Sequence, residues 1–130
     1  MSTVLLDSHA LWWWLSTPQR LSRAAARAIS GASEVAAASI TWYELAWLAR
    51  NDRIAVTGTI GTWLDDMYRA VRTIPISPAV ADLASAMPRS FPRDPIDRII
   101  AATAIEYGLK LVTRDERIRE HPQTRGLAIW

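Results

Sequence analysis

Short apolar runs alternate along the chain with longer stretches in which apolar residues recur every three or four positions. Val4-Leu5-Leu6 is the first run, and a brief unbroken apolar segment of this kind suits a strand covered on both faces. A helical segment follows from His9 to about Leu15. Ser22 is placed to cap an Ala-rich helix that runs to Ile29, with Gly31 as its stop. Val35 to Ala38 predicts a second strand, and Thr41 opens a helix through Trp42, Leu45, Trp47 and Leu48. A further helix covers about Thr59 to Val71, and a third strand Thr73 to Ile76. Ser77-Pro78 pairs an N-cap with a proline at the first helical position, starting a helix to about Ala86. Asp94-Pro95 repeats that arrangement and opens the helix Ile96 to Tyr107, which Gly108 ends. Leu109 to Val112 reads as a fourth strand, Glu116 to Glu120 as a short helix and Leu127 to Ile129 as a last strand. Strands alternating with helices require crossover connections, so the class is α/β with a parallel sheet.

Composition narrows this further. The 130 residues fit one domain, 1–130, with a single core. Half the residues are apolar and 22% are charged, the balance of a folded chain. The net charge of +2 is close to neutral and does not announce nucleic acid by itself. With no cysteine, disulfides, thiolate zinc sites, iron–sulfur ligation and cysteine nucleophiles are all excluded. His9 and His121 are too few for a His-rich metal site. Lys110 is the one lysine among 15 basic residues, so any lysine chemistry has a single candidate. Thr3 to Leu15 is rich in Leu and Trp, but it has no basic leader and Asp7 interrupts it. No apolar run approaches the ~18–20 residues needed to span a bilayer. A soluble, cytoplasmic protein without membrane contact is expected.

In an open parallel sheet, ligands bind outside the carboxyl ends of the strands where the strand order reverses. Asp7 follows the first strand directly, and Asp115 comes just after the fourth. Glu44 falls in the first turn of the helix after the second strand, and Asp97 in the first turn of the helix before the fourth. If the first and fourth strands are neighbours, these carboxylates converge on one rim. Their mutual repulsion then calls for a cation, and oxygen donors suit Mg²⁺ or Mn²⁺. Each acid also has a purely structural reading. Thr41-x-x-Glu44 matches a capping box. Asp94 is the natural cap of its helix, Asp97 complements the helix dipole, and Asp115 can cap the helix that follows it. Asp7 is harder to explain structurally, because an acid ending an apolar strand is costly to bury without a partner. The signal is the set.

Val4-Leu5-Leu6-Asp7-Ser8-His9-Ala10-Leu11-Trp12, the helical Glu44, Asp94-Pro95-Ile96-Asp97-Arg98-Ile99-Ile100-Ala101-Ala102-Thr103-Ala104 and Leu111-Val112-Thr113-Arg114-Asp115 together resemble a PIN domain. More narrowly, they resemble the VapC-type toxins of bacterial type II toxin–antitoxin pairs, and the likeness extends over essentially the whole chain. The resemblance implies a three-layer α/β/α fold around a five-stranded parallel sheet in the order 3-2-1-4-5. It carries the family's acidic quartet onto Asp7, Glu44, Asp97 and Asp115, and a supporting hydroxyl onto Thr113. Asp94 stands outside the quartet, because the family's third acid precedes the apolar Ile-Ala run, which here follows Asp97.

The activity implied by the resemblance is that of a Mg²⁺-dependent endoribonuclease toxin, with Mn²⁺ as the alternative ion. Asp7 and Asp97 would hold the principal metal, and Glu44 and Asp115 would complete the site through a second metal or waters. Products would carry a 5′-phosphate and a 3′-hydroxyl. Arg93, Arg98 and Arg114 flank the acids, and Arg98 and Arg114, with Thr113, are candidates to hold RNA. The resemblance implies a cognate VapB-type antitoxin as partner, while a homodimer contact is the plainer reading of the Trp12-Trp13-Trp14 run. A haloacid-dehalogenase-like phosphatase is the weaker enzymatic alternative, since it wants an acid where His9 stands and a phosphate-facing lysine. His9 is expected to be structural. The third reading is a catalytically silent interaction module. Its basis is Trp12-Trp13-Trp14, which cannot all face one core because consecutive helical residues point about 100° apart.

Overall fold

Leu5 faces one core of the protein while Val4 and Leu6 face another, all three buried. That alternation, seen in the computed structural model, which describes residues 2–130, places the first strand in the middle of a sheet covered on both sides. In chain order the elements are β1 (Thr3–Leu6), α1 (Ser8–Ser16), a 3₁₀ turn (Pro18–Arg20), α2 (Arg23–Ser30), β2 (Glu34–Ala38), α3 (Ile40–Arg50) and α4 (Ile60–Ala70). They continue as β3 (Arg72–Ile74), α5 (Pro78–Ser85), α6 (Pro95–Tyr107), β4 (Lys110–Val112), α7 (Glu116–Glu120) and β5 (Ala128–Ile129). The five strands pair in the order β3-β2-β1-β4-β5, all parallel. The expected three-layer architecture is therefore the one found.

One core packs Leu5, Ala36, Ala38, Ile74 and Leu111 against α5, α6 and α7. The other packs Val4, Leu6, Ala37 and Val112 against α1, α2, α3 and α4. Ala36, Ala37 and Ala38 are completely buried. Alanine is a poor strand former in isolation, so β2 owes its existence to pairing with both β1 and β3 and to helices on both faces.

Local signals mostly act as the sequence predicts. The side chains of Ser22, Thr59, Ser77 and Asp94 accept hydrogen bonds from the amides of Ala25, Thr62, Val80 and Ile96. Gly108 ends α6 at φ +63°, where a Cβ would be strained. Gly31 ends α2 differently: its φ of −85° is ordinary, but a Cβ there would sit 3.1 Å from the Arg27 carbonyl oxygen. The third strand is displaced from its predicted span, 73–76, to Arg72–Ile74, because Pro75 has no N–H to extend the ladder.

The helix after β2 departs further from expectation. It begins at Ile40, with Ser39 before it making no side-chain cap. Thr41 is already inside the helix and fully buried, its hydroxyl 3.5 Å from Ser8 Oγ. No capping box forms, and Glu44 moves to the second turn, where it is free to face outward from the helix. Among the described residues, no helix is long and apolar enough to cross a membrane.

Candidate active site

The chain leaves β1 towards β2 and β3, then returns to lay β4 on the other side of β1. That reversal opens a crevice at the carboxyl ends of β1 and β4, the position favoured for ligands in open α/β sheets. The Asp7 amide donates to the Val112 carbonyl across the crevice at 3.1 Å. The space there has a volume of about 470 Å³, and Asp7, Glu44, Asp94, Asp97 and Asp115 all line it. The structure thus brings together the four acids singled out in the sequence and adds Asp94, which also caps α6.

Each carboxylate is held differently. Asp7 caps α1, accepting from the Ala10 amide at 2.9 Å. Burial pushes its pKa up, against the pull of the Thr113 hydroxyl and the Ala10 amide. Thr113 is fully buried and its Oγ1 accepts from the Asp115 amide at 3.2 Å. It therefore ties Asp7 to Asp115 from beneath, and the expectation that Thr113 touches substrate is corrected by its lack of exposure. Burial also raises Glu44, opposed by the Ser8 hydroxyl. Ser8 has a single proton to give. Its 3.5 Å approach to Thr41 is long for a hydroxyl pair, so the Glu44 carboxylate is the better acceptor.

Asp97 carries the strain of the site. Burial raises its pKa to about 7, and Asp94, Glu44, Asp115 and Asp7 all push it in the same direction. Asp115 is the opposite case. Arg117 grips it with Nε to Oδ1 at 3.1 Å and Nη2 to Oδ2 at 2.8 Å, holding its pKa below the usual carboxylate value. Asp115 also caps α7, accepting from the Arg117 amide at 2.9 Å. The sequence reading missed both Ser8 and Arg117. No helical spacing signalled the second, since helical residues two apart do not face each other; the pair forms because Asp115 is the extended N-cap, outside the helical turn.

The arginines divide. Arg98 is corrected from a substrate-binding candidate to a structural one. Its guanidinium donates to the carbonyls of Pro92 at 2.9 Å, Met87 at 3.0 Å, Pro88 at 3.1 Å and Phe91 at 3.3 Å. All three of its nitrogens are engaged in fastening residues 87–92 to α6. Arg93 is exposed and does not line the crevice. Arg114 does line it. His9 also reaches the crevice, its ring 5.6 Å from Trp13. Lys110 lies at the opposite end of β4 and donates to the Gly126 carbonyl at 3.2 Å, which removes the lysine that phosphatase chemistry requires. Of the tryptophan triplet, Trp13 is buried while Trp12 and Trp14 are half-buried against the second core.

Among the described residues, no three acidic or imidazole side chains form a ready-made ligand set for one ion. The donors nevertheless fit a hard divalent cation. All are carboxylate oxygens, and burial together with the neighbouring carboxylates raises Asp97, a repulsion that a bound cation would relieve.

Comparison with known proteins agrees with this geometry. The family described as PIN domain matches residues 4–123. Over 130 residues, covering all of both chains, the sequence is 52% identical to Ribonuclease VapC22 of Mycobacterium tuberculosis (strain ATCC 25618 / H37Rv). Among solved structures, the DNA-bound VapBC from Salmonella typhimurium superposes with a TM-score of 0.70 at 19% identity, covering 95% of each chain. A toxin–antitoxin complex from Klebsiella pneumoniae gives 0.67 at 24%, covering 92% of this chain and 93% of that one. At those identities the structural likeness speaks for the fold.

Proposed function

The chain belongs to the PIN-domain family, and from that premise we propose that it is a VapC-type toxin, a single-domain endoribonuclease that hydrolyses RNA phosphodiester bonds. The observation that carries this reading is the 52% identity, over both whole chains, to a ribonuclease. The carboxylate-lined crevice supplies the means.

Asp7, Glu44, Asp97 and Asp115 form the catalytic set, with Asp7 and Asp97 as the residues that would hold Mg²⁺, or Mn²⁺ in its place, since both ions favour oxygen donors. When bound, a divalent ion acidifies a water for attack on phosphorus and offsets charge on the leaving oxygen. The chain's own contribution is to fix the donors. The Ala10 amide and Thr113 orient Asp7. Ser8 steadies Glu44. Arg117 fixes both oxygens of Asp115, so that this carboxylate meets the crevice in one orientation. With its pKa raised to about 7, Asp97 is only partly ionised at neutral pH, so a divalent ion held there would compete with that proton. Arg114, at the edge of the crevice, binds a phosphate of the RNA backbone.

A second hollow, about 400 Å³, lies between α1 and α4, with Trp12, Leu15, Trp63 and Met67 in its walls. It suits an apolar segment of a VapB-type antitoxin. The toxin acts in the cytoplasm, as a homodimer when not neutralised.

Incubating total RNA with the purified protein in Mg²⁺, in Mn²⁺ and in chelator tests the reading. Discrete cuts that need metal and vanish in folded Asp7→Asn and Asp97→Asn variants are expected. Intact RNA in both metals, once any co-purified partner has been stripped away, would overturn it.

A further inference from the structure

Trp13 has a cost that packing alone does not explain. It is 7% exposed, and among the described residues its buried indole N–H has no acceptor. An unsatisfied buried donor costs about 1–3 kcal/mol, a cost that a phenyl ring, smaller by three heavy atoms, would not carry. What the indole does supply is a ring face. The guanidinium carbons of Arg20 and Arg114 lie 5.2 and 5.8 Å from its centroid, within the ~6 Å range of a cation–π contact, for which tryptophan is the best partner. His9 at 5.6 Å and Trp130 at 5.8 Å pack against the same ring and keep it from turning.

The two arginines come from separate parts of the chain, Arg20 from the 3₁₀ turn after α1 and Arg114 from the loop after β4. Both are exposed. Among the described residues neither pairs with a carboxylate, unlike Arg69, Arg72, Arg117 and Arg119. Trp13 and Arg114 both line the carboxylate crevice. A nearly neutral protein with an acidic site needs positive charge concentrated beside that site if it is to hold a polyanion. Two guanidiniums on one indole meet that need, and cation–π contact leaves their N–H edges available for bidentate hydrogen bonds.

We propose that Trp13 is a positioning residue that holds Arg20 and Arg114 as a paired clamp for backbone phosphates of the RNA, alongside the carboxylate crevice. This rests on the ribonuclease reading, adding Arg20 and Trp13 to it. Arg20 and Arg114 bind substrate directly, and Trp13 acts through them.

The test uses a fluorescent single-stranded oligoribonucleotide. Its affinity is measured in chelator from about 50 to about 300 mM salt, and its cleavage is measured separately in Mg²⁺. Arg20→Gln and Arg114→Gln are each expected to reduce the log–log salt slope by about 0.7, the value for one phosphate on a single strand. Their KM should rise about three- to tenfold, with the loss falling on KM rather than kcat. Trp13→Phe keeps an aromatic ring with a weaker face. It should melt close to the wild type yet show a shallower salt slope, which a purely structural role would not produce. Should Trp13→Phe fail to fold, the exposed Arg20 still decides the matter. An Arg20→Gln protein with wild-type slope and KM overturns the clamp, as does a wild type that binds no RNA. A wild type that binds but does not cut sinks the ribonuclease reading, while its slopes still judge the clamp.

Discussion

Asp97 is the residue at which folding and function pull apart. Its pKa is about 7 in the folded chain, against an ordinary value of 3.8. Between those two values the native state holds more protons than the unfolded chain, so stability falls as pH rises through the window and is lowest above pH 7. Asp7 and Glu44 are also raised and add to the same trend. Asp115 is lowered and contributes in the opposite sense, with stability that is lost only in acid. Asparagine at position 97 removes that residue's share of the falling slope. In chelator at pH 8, Asp97→Asn should stabilise the protein by about 1–2 kcal/mol. A shift of this size carries ~4 kcal/mol in full, which partial exposure of the carboxylate reduces. Thermal melts from pH 5 to pH 8 check this, and equal melting temperatures for the two proteins throughout would refute it. At this scale the sequence was informative about which acids share the crevice, because strand ends and helix starts can be located from the apolar pattern. It was uninformative about their protonation, which depends on how many like charges share one enclosure.

At the scale of elements, the start of α6 does three jobs within five residues. Asp94 caps the helix, Asp97 faces the crevice, and Arg98 fastens the preceding loop through four carbonyls. The cap and the proline were legible, since both act on their own helix. The task of Arg98 was not, because its partners lie in residues 87–92, a segment with no periodic pattern to say where it folds. The same limit explains Thr41-x-x-Glu44. The motif is a true capping-box string, but the helix already begins at Ile40, so Thr41 is buried inside it and Glu44 falls in its second turn, at the crevice. Two mutations separate these jobs. Arg98→Gln strands buried carbonyls and should cost about 2–4 kcal/mol of stability. Asp94→Ala removes a cap worth about 1 kcal/mol while also relieving Asp97 of a like charge, so its net loss should be smaller than Arg98→Gln by at least half. Denaturant midpoints for the two variants decide this, and an Arg98→Gln protein as stable as Asp94→Ala would show that the loop does not depend on the guanidinium.

For the whole molecule, the crevice exists because the chain reverses direction between β2 and β4 about the central β1. Alternating apolar runs foretold a parallel sheet, but strand order came from the resemblance to a family, since periodicity says which residues form strands and not which strands are neighbours. The reversal gathers acids from the β1–α1 junction, α3, α6 and the β4–α7 junction, and therefore couples the global fold to whatever neutralises them. A ligand that binds only the folded state stabilises it in proportion to the logarithm of its concentration, by about 2.7 kcal/mol at a hundred times its dissociation constant. Saturating Mg²⁺ at pH 8 should accordingly raise the melting temperature by on the order of 5–10 °C. At pH 5 the gain should shrink, because protons then compete for the raised carboxylates. Asp97→Asn should lose most of the Mg²⁺ response while starting from a higher melting temperature in chelator. That pairing of opposite effects in one variant is specific to a cation site built on repulsion: a residue needed merely for folding would lower both melting temperatures. A Mg²⁺ gain as large at pH 5 as at pH 8, or one that persists in Asp97→Asn, would place the ion elsewhere on the protein.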